Sequence, residues 1–185
     1  MRLQRQPGQS LRLVVMGVSG SGKTTLACAL SERLGLAMVD GDDLHLPESI
    51  RKMSSGIALE DADRWPWLDR IGEYLAASTG GDPGGRVVAC SALKRAYRDC
   101  IRAHAAGVMF VFLHGDARII HQRMAGRVGH YMQPGLLESQ LRTLEVPGPD
   151  EADVLHLSID QPVGALVTCT LQALDLGTPA ASAAV

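Results

Sequence analysis

Gly17, Val18, Ser19, Gly20, Ser21, Gly22, Lys23 and Thr24 fit the pattern G-x-x-x-x-G-K-[ST] without a gap, and no other stretch of the chain narrows its fold so far. The pattern requires a strand before it and a helix after it. Leu11, Leu13, Val14, Val15 and Met16 supply the first, as a short apolar run suited to a buried parallel strand. Thr25 to Leu34 supplies the second, with apolar residues spaced at Leu26, Ala27, Leu30 and Leu34. Glycines let successive backbone N–H groups turn inward around an anion. The helix N-terminus adds unpaired donors and the positive end of its dipole. The segment therefore implies a nucleoside triphosphate, with the loop and Thr25 around its phosphates and Lys23 on the β- and γ-groups. The Thr24 hydroxyl is placed to give one oxygen ligand to Mg²⁺.

Beyond the loop, short apolar strands alternate with segments of helical period, the signature of a parallel sheet covered by helices on both faces. Further strands are expected at Ala37 to Val39, Arg86 to Cys90, Val108 to Leu113 and Val154 to Ile159. Helices are expected at Pro47 to Met53, Asp63 to Ala77, Lys94 to Ala105, Asp116 to Ala125, Gly135 to Leu144 and Val163 to Leu174. Pro47 suits a first helical turn and Asp116 a cap. The whole chain, 1–185, reads as one α/β domain: a core of about 11–175, a lid of about 123–134, and tails at 1–10 and 177–185.

A formal net charge of −2 gives no broad attraction to nucleic acid or anionic membranes, so neither is expected as a partner. No secretory leader and no apolar run near the roughly 20 residues of a membrane span is present, which makes the cytoplasm the expected location. Cys28, Cys90, Cys100 and Cys169 contain no C-x-x-C pair, and the six histidines no H-x-x-x-H spacing. Both facts argue against a zinc site, and buried thiols are the expectation for most of the cysteines.

Asp40, Gly41 and Asp42 fall at the carboxyl end of the second strand, the edge where open α/β sheets bind ligands. Facing a triphosphate cradle, two carboxylates can divide the labour, Asp40 toward Mg²⁺ and Asp42 as acceptor of a substrate proton. After the third apolar strand, where many phosphate-loop proteins place a metal-binding acid, this chain has Ser91, which leaves that charge to the aspartates. Lys94 opens a helix, where a cation opposes the dipole unless an anion lies nearby, so it is a candidate for substrate or phosphate. Arg64 follows Glu60, Asp61 and Asp63 and is read either as a substrate contact or as a local ion pair. Arg118, Arg123 and Arg127, with Gly126 and Gly129, suit a lid that closes over the nucleotide and neutralises charge on the transferred group.

Taken together, these blocks resemble the small bacterial and eukaryotic gluconokinases, relatives of shikimate kinase within the nucleoside-monophosphate-kinase type of P-loop fold. The resemblance spans roughly Leu13 to Leu174. It rests on M-G-V-S-G-S-G-K-T from Met16, D-G-D-D-L-H from Asp40, K-M-S-S-G from Lys52, D-A-D-R-W-P-W-L from Asp61 and C-S-A-L-K-R-A-Y-R-D from Cys90. R-V-G-H-Y-M from Arg127, L-E-x-P from Leu144 and E-x-D from Glu151 complete it.

It implies a five-stranded parallel sheet with a lid, and Mg²⁺- and ATP-dependent phosphorylation of D-gluconate at its 6-hydroxyl. Lys23, Asp42 and Arg127 would be catalytic, Asp40 a water-mediated magnesium partner, and Arg123 and Arg127 lid contacts to adenine and phosphates. His45, Arg64, Ser91, Lys94 and His130 would join Asp42 around the substrate, and a homodimer is implied for the assembly. One segment departs from the family pattern: His45 is followed by Leu46, Pro47, Glu48 and Ser49, where H-P-x-x-N is common. A kinase for another small hydroxy acid such as shikimate shares fold and loop. A nucleotide-binding module without catalysis is the other alternative, and intact Lys23, Thr24, Asp40 and Asp42 speak against it.

Overall fold

Successive residues of one strand feed two separate cores. In the computed structural model, which describes residues 3, 10–77, 85–125 and 135–176, β1 (Leu11–Met16) is the middle strand of five. Because side chains alternate across a strand, Leu13 and Val15 enter one apolar cluster and Val14 and Met16 the other, all four with no exposed surface. The other strands are β2 (Ala37–Asp40), β3 (Gly85–Ala89), β4 (Met109–His114) and β5 (Val154–Ser158). All pair parallel, in the spatial order β2-β3-β1-β4-β5.

Seven helices cover the sheet among the described residues: α1 (Lys23–Leu34), α2 (Pro47–Ser54), α3 (Asp61–Ala76), α4 (Arg95–His104), α5 (Ala117–Ala125), α6 (Leu136–Thr143) and α7 (Val163–Ala173). The cluster that contains Leu13 takes Leu26 and Leu30 of α1, Ile120 of α5, Leu137 of α6 and Leu166 of α7. The opposite cluster takes Trp67, Leu68 and Ile71 of α3 and Tyr97 and Ile101 of α4. Each fully buried Leu, Ile or Phe contributes about 1.5–3 kcal/mol relative to exposure, so both layers are fixed to the sheet. Since the chain passes from β1 out to β2 and back across to β4, the carboxyl ends beside β1 form the crevice where such sheets take ligands.

The expected strands and helices all appear, with shifted ends. α1 starts at Lys23, two residues before the expected Thr25, because Gly22 in a left-handed conformation lets the loop run straight into the helix. α3 starts at Asp61, not Asp63: the Asp63 carboxylate accepts the Glu60 backbone N–H at 2.9 Å, which makes Asp63 a first-turn residue. The helix also runs through Pro66, a position that interrupts its hydrogen bonding at a cost of about 3 kcal/mol. Burial of the adjoining Trp67 and Leu68 offsets that cost. Pro47 and Asp116 behave as expected, at the first turn of α2 and as acceptor of the Arg118 N–H at 2.8 Å.

The expectation of mostly buried thiols is corrected. Only Cys90 is buried; Cys28 is exposed on α1, and Cys100 and Cys169 are half-buried, each packed against the margin of an apolar cluster. Leu3, inside the expected N-terminal tail, is buried and donates its N–H to the Ala173 carbonyl at 2.8 Å. The rest of that tail apart from Ser10, the tail 177–185, and the expected lid beyond Ala125 as far as 134 lie outside the described residues. Among the described residues no helix is long and apolar enough to cross a membrane.

Candidate active site

The loop between β1 and α1 is held too tightly for side chains at two of its glycines. Gly17 has φ +142°, and a Cβ there would lie 2.5 Å from the Leu113 carbonyl oxygen. Gly20 has φ +79° and faces Met124 of α5 at 2.5 Å. Both the backbone angle and the space therefore demand glycine. Val18 packs into the core, Lys23 Nζ donates to the Val18 carbonyl at 3.0 Å, and the Ser19 N–H donates to Gln140 Oε1 of α6 at 2.6 Å. Ser21 Oγ is buried without a hydrogen-bond partner and lies against Gly17, 3.0 Å from where a Cβ on that glycine would stand. Thr24 and Thr25 are exposed on the first turn of α1.

Opposite Thr24, β2 ends in Asp40, and Thr24 Oγ1 donates to Asp40 Oδ2 at 2.9 Å. A hydroxyl and a carboxylate at that separation are two hard oxygen donors, the set that suits Mg²⁺. The other Asp40 oxygen accepts the Asp42 N–H at 3.1 Å and starts a 3-10 turn, Gly41–Leu44. Surrounding protein and then the Asp40 carboxylate push the Asp42 carboxyl above its ordinary value, with Lys23 pulling the other way. Asp42 nevertheless stays open to solvent at its side.

The turn is anchored from α3, because Trp67 Nε1 donates to the Gly41 carbonyl at 2.6 Å. The same indole stacks on the His45 ring, 4.3 Å away and 13° from parallel. Burial and then the nearby Arg64 charge lower the His45 pKa to about 4, so its imidazole is neutral at pH 7. Its Nδ1 is buried with no hydrogen-bond partner.

Across the crevice, Asp61 gathers two cations. Lys94 Nζ donates to both its oxygens at 2.9 and 2.7 Å, and Arg64 Nη1 stands 3.5 Å from it. Tyr97 Oη donates to Asp61 Oδ1 at 2.5 Å and lies 3.3 Å from Arg64 Nη1. The Lys94 ammonium and the tyrosine hydroxyl hold the Asp61 carboxyl below its ordinary value, and Asp61 in turn raises Lys94. The ion-pair reading of Arg64 is thus correct in geometry, yet one carboxylate shared between two cations leaves a local excess of positive charge. Lys94 stands one residue before α4, as its cap.

Ser91 joins this group from the end of β3: its carbonyl accepts the Gly17 N–H at 3.4 Å, tying the two loops together. Arg123 approaches from the other side, where Nη2 donates to the Ile159 carbonyl at 2.7 Å beyond β5. The structure therefore brings the loop, Asp40, Asp42, His45, Arg64, Ser91, Lys94 and Arg123 to one edge of the sheet. Arg127 and His130 lie outside the described residues.

Two features here escape motif reading. Gln140 reaches the phosphate loop from α6, and nothing in the local sequence marks it. Arg98 is 1% exposed and pairs both oxygens of the buried Glu151, at 2.7 and 2.6 Å, while Arg102 adds a third contact at 2.8 Å. Arg98 Nη1 also serves the carbonyls of Ala92, Leu93 and Glu145 at 3.3, 3.3 and 3.1 Å. Ala92 has φ +42°, a conformation that costs a non-glycine residue roughly 1–2 kcal/mol. The guanidinium thus pins the strained bend between Ser91 and Lys94. Glu145 completes the tie by accepting the Arg95 N–H at 2.6 Å at the start of α4. The Glu-x-Asp run and the arginine of the C-S-A-L-K-R-A-Y-R-D block are the sequence signals that pair here.

This order of five parallel strands, with a phosphate loop on the middle one facing carboxylates at the end of β2, is the architecture of a P-loop kinase of nucleoside-monophosphate-kinase type. A family model described as shikimate kinase matches residues 19–146. The gluconokinase of Gluconobacter oxydans (strain 621H) is 48% identical over 139 residues, 75% of this chain and 78% of that protein. The thermoresistant gluconokinase of Escherichia coli (strain K12) is 41% identical over 164 residues, 89% and 93% of the two chains. The crystal structure of a gluconokinase from Sinorhizobium meliloti 1021 is 47% identical, with a TM-score of 0.79 over 90% of this chain and 92% of that one. The chain belongs to the shikimate kinase family and, within it, to the gluconokinases.

Proposed function

We propose that this chain transfers the γ-phosphoryl group of ATP to the 6-hydroxyl of D-gluconate, giving 6-phospho-D-gluconate and ADP. The observation that carries the reading is the placement of the Thr24–Asp40 pair and Asp42 opposite two cations, Arg64 and Lys94, that share one carboxylate. In this reading a small hydroxy acid lies between them. Its carboxylate finds the surplus positive charge, and its far hydroxyl reaches Asp42.

In this reading the loop N–H groups and Lys23 hold the triphosphate in place. Thr24 and Asp40, through water in the case of Asp40, would hold Mg²⁺, which when bound offsets charge on the β- and γ-phosphates. Asp42 accepts the proton of the 6-hydroxyl as the new O–P bond forms and the bond to the bridging oxygen of ADP breaks. Burial and the Asp40 charge raise its pKa, which makes it a stronger base than an ordinary aspartate. Neutral His45, held by the Trp67 ring, and Ser91 would complete the substrate side of the site. Arg123 and, in the expected lid, Arg127 would neutralise charge on the transferred group, and His130 would contact the substrate. Catalysis is then mostly positioning and electrostatics.

A coupled assay with MgATP and gluconate, glucose or shikimate tests the proposal. Gluconate is expected to give the highest kcat/KM, and a preference for glucose or shikimate would overturn the reading. Arg64→Leu should slow gluconate while leaving any glucose rate unchanged. Asp42→Asn keeps the shape but removes the proton acceptor, so kcat should fall by about 10² while ATP binding is retained. A drop under about threefold would place the base elsewhere. Because the base must be ionised, wild-type kcat should fall as pH drops through the raised Asp42 pKa, and that acid limb should be missing from the residual activity of Asp42→Asn.

A further inference from the structure

On the outer side of α3 and α4, away from the phosphate loop, three different metal-binding side chains converge. Asp69 follows Asp61 by eight residues on α3, about 12 Å along the helix axis. Cys100 and His104 stand four residues apart on α4 and so share one helical face. Cys100 Sγ lies 3.3 Å from Asp69 Oδ1, His104 Nε2 lies 3.7 Å from the same oxygen, and one ligand atom from each residue falls within 4.8 Å of the others. Tetrahedral zinc, with bonds of about 2.0 Å to oxygen and nitrogen and 2.3 Å to sulfur, requires separations of about 3.3–3.6 Å between its ligands. We propose that Asp69, Cys100 and His104 form a binding site for a zinc-class divalent cation, with water as the fourth ligand, clamping α3 to α4.

Two further observations support it. His104 Nδ1 lies 3.0 Å from the Cys100 carbonyl oxygen, an acceptor only, so Nδ1 carries the proton and the lone pair is on Nε2. This is how metal-binding imidazoles are usually oriented, by a hydrogen bond from the ring nitrogen that faces away from the metal. That lone pair then faces a carboxylate oxygen, an arrangement that needs a proton or a cation between them. The histidine also sits against Gly72 of α3, where an added Cβ would come within 2.5 Å of His104 Cβ. Glycine there lets the ring come up beside Asp69. Neither C-x-x-C nor H-x-x-x-H spacing reveals such a group, because its helical pair mixes the two residue types. On binding, the thiol proton leaves to solvent and the sulfur takes the metal. The inference is independent of the phosphoryl acceptor.

The test uses the full chain, thiols reduced and nucleotide absent, titrated with Zn²⁺ by calorimetry and with Co²⁺ by absorption. One Co²⁺ per chain is expected, with tetrahedral bands and a near-ultraviolet thiolate-to-cobalt transition, and Zn²⁺ should raise Tm. Cys100→Ser and His104→Ala should each weaken binding at least tenfold, and Cys100→Ser should abolish the thiolate band. Asp40→Asn, which alters only the hard-oxygen pair of the phosphate loop, should leave the band intact. Absence of the band, or its persistence in Cys100→Ser, would overturn the site. So would an unchanged Tm on addition of Zn²⁺, the result expected if His104 and Asp69 form only an ordinary side-chain contact.

Discussion

Replacing Lys23 with alanine should lower kcat by on the order of 10³ or more while leaving the melting temperature close to that of the wild type. Lys23 is the first residue of α1, half-buried beside the Val18 carbonyl, and its side chain is not part of either apolar cluster. Alanine is a better helix former, so the local backbone loses nothing. What disappears is a fixed positive charge over the β- and γ-phosphates, where negative charge shifts toward the leaving group during transfer. Its loss acts on the transition state more than on the ground state and therefore appears in kcat. A factor of 10³ corresponds to about 4 kcal/mol of barrier. The measurements are turnover with MgATP and gluconate, and thermal unfolding of both proteins. Near-wild-type turnover with unchanged melting would remove Lys23 from the reaction.

The features readable in the sequence are those carried by local patterns. Apolar strand runs and the glycine pattern locate β1, the loop and α1, and Asp40 at the end of β2 follows from where open parallel sheets bind ligands. Tertiary relations between distant residues are not written locally. Arg64 reads equally as a substrate contact or a surface ion pair. Only the packing of α3 on α4 shows that Asp61 holds it together with Lys94, 33 residues away from Asp61 in sequence. Gln140 meets the phosphate loop across 121 residues. Exposure of Cys28 is decided by which side of α1 touches the sheet, and apolar character alone does not reveal that. Arg98 is the plainest case: an arginine in a helix with other charges reads as solvated, yet it is buried because Glu151 meets it from a segment 53 residues later.

That buried pair should be the most stability-sensitive polar contact near the site. In Glu151→Ala the Arg98 guanidinium stays inside with its carboxylate partner and two shortest hydrogen bonds gone, an uncompensated charge that costs about 3–5 kcal/mol. For a chain of this size the expected fall in Tm is about 6–20 °C. The pH dependence follows from the carboxylate. Burial alone would raise its pKa, but hydrogen bonds from Arg98 and Arg102 overcome that and hold it at about 2, against an ordinary 4.5. A depressed pKa means that its stabilisation is complete above pH 4.5 and is lost as pH falls toward 2. The stability gap between wild type and Glu151→Ala should therefore be widest near neutrality and narrow in that acid window.

Function should suffer in step. Arg98 Nη1 pins the carbonyls of Ala92 and Leu93, and without a firmly held guanidinium the left-handed bend at Ala92 can relax and move Ser91 and Lys94. KM for gluconate should rise more than KM for ATP. Replacing both partners, Arg98→Met with Glu151→Leu, removes the stranded charge, so it should recover much of the lost Tm but not the gluconate KM, since the carbonyl contacts remain absent. Unchanged melting in Glu151→Ala at pH 7 would show that the pair contributes no stability, and an unchanged gluconate KM in the double variant would show that the bend holds its shape without Arg98.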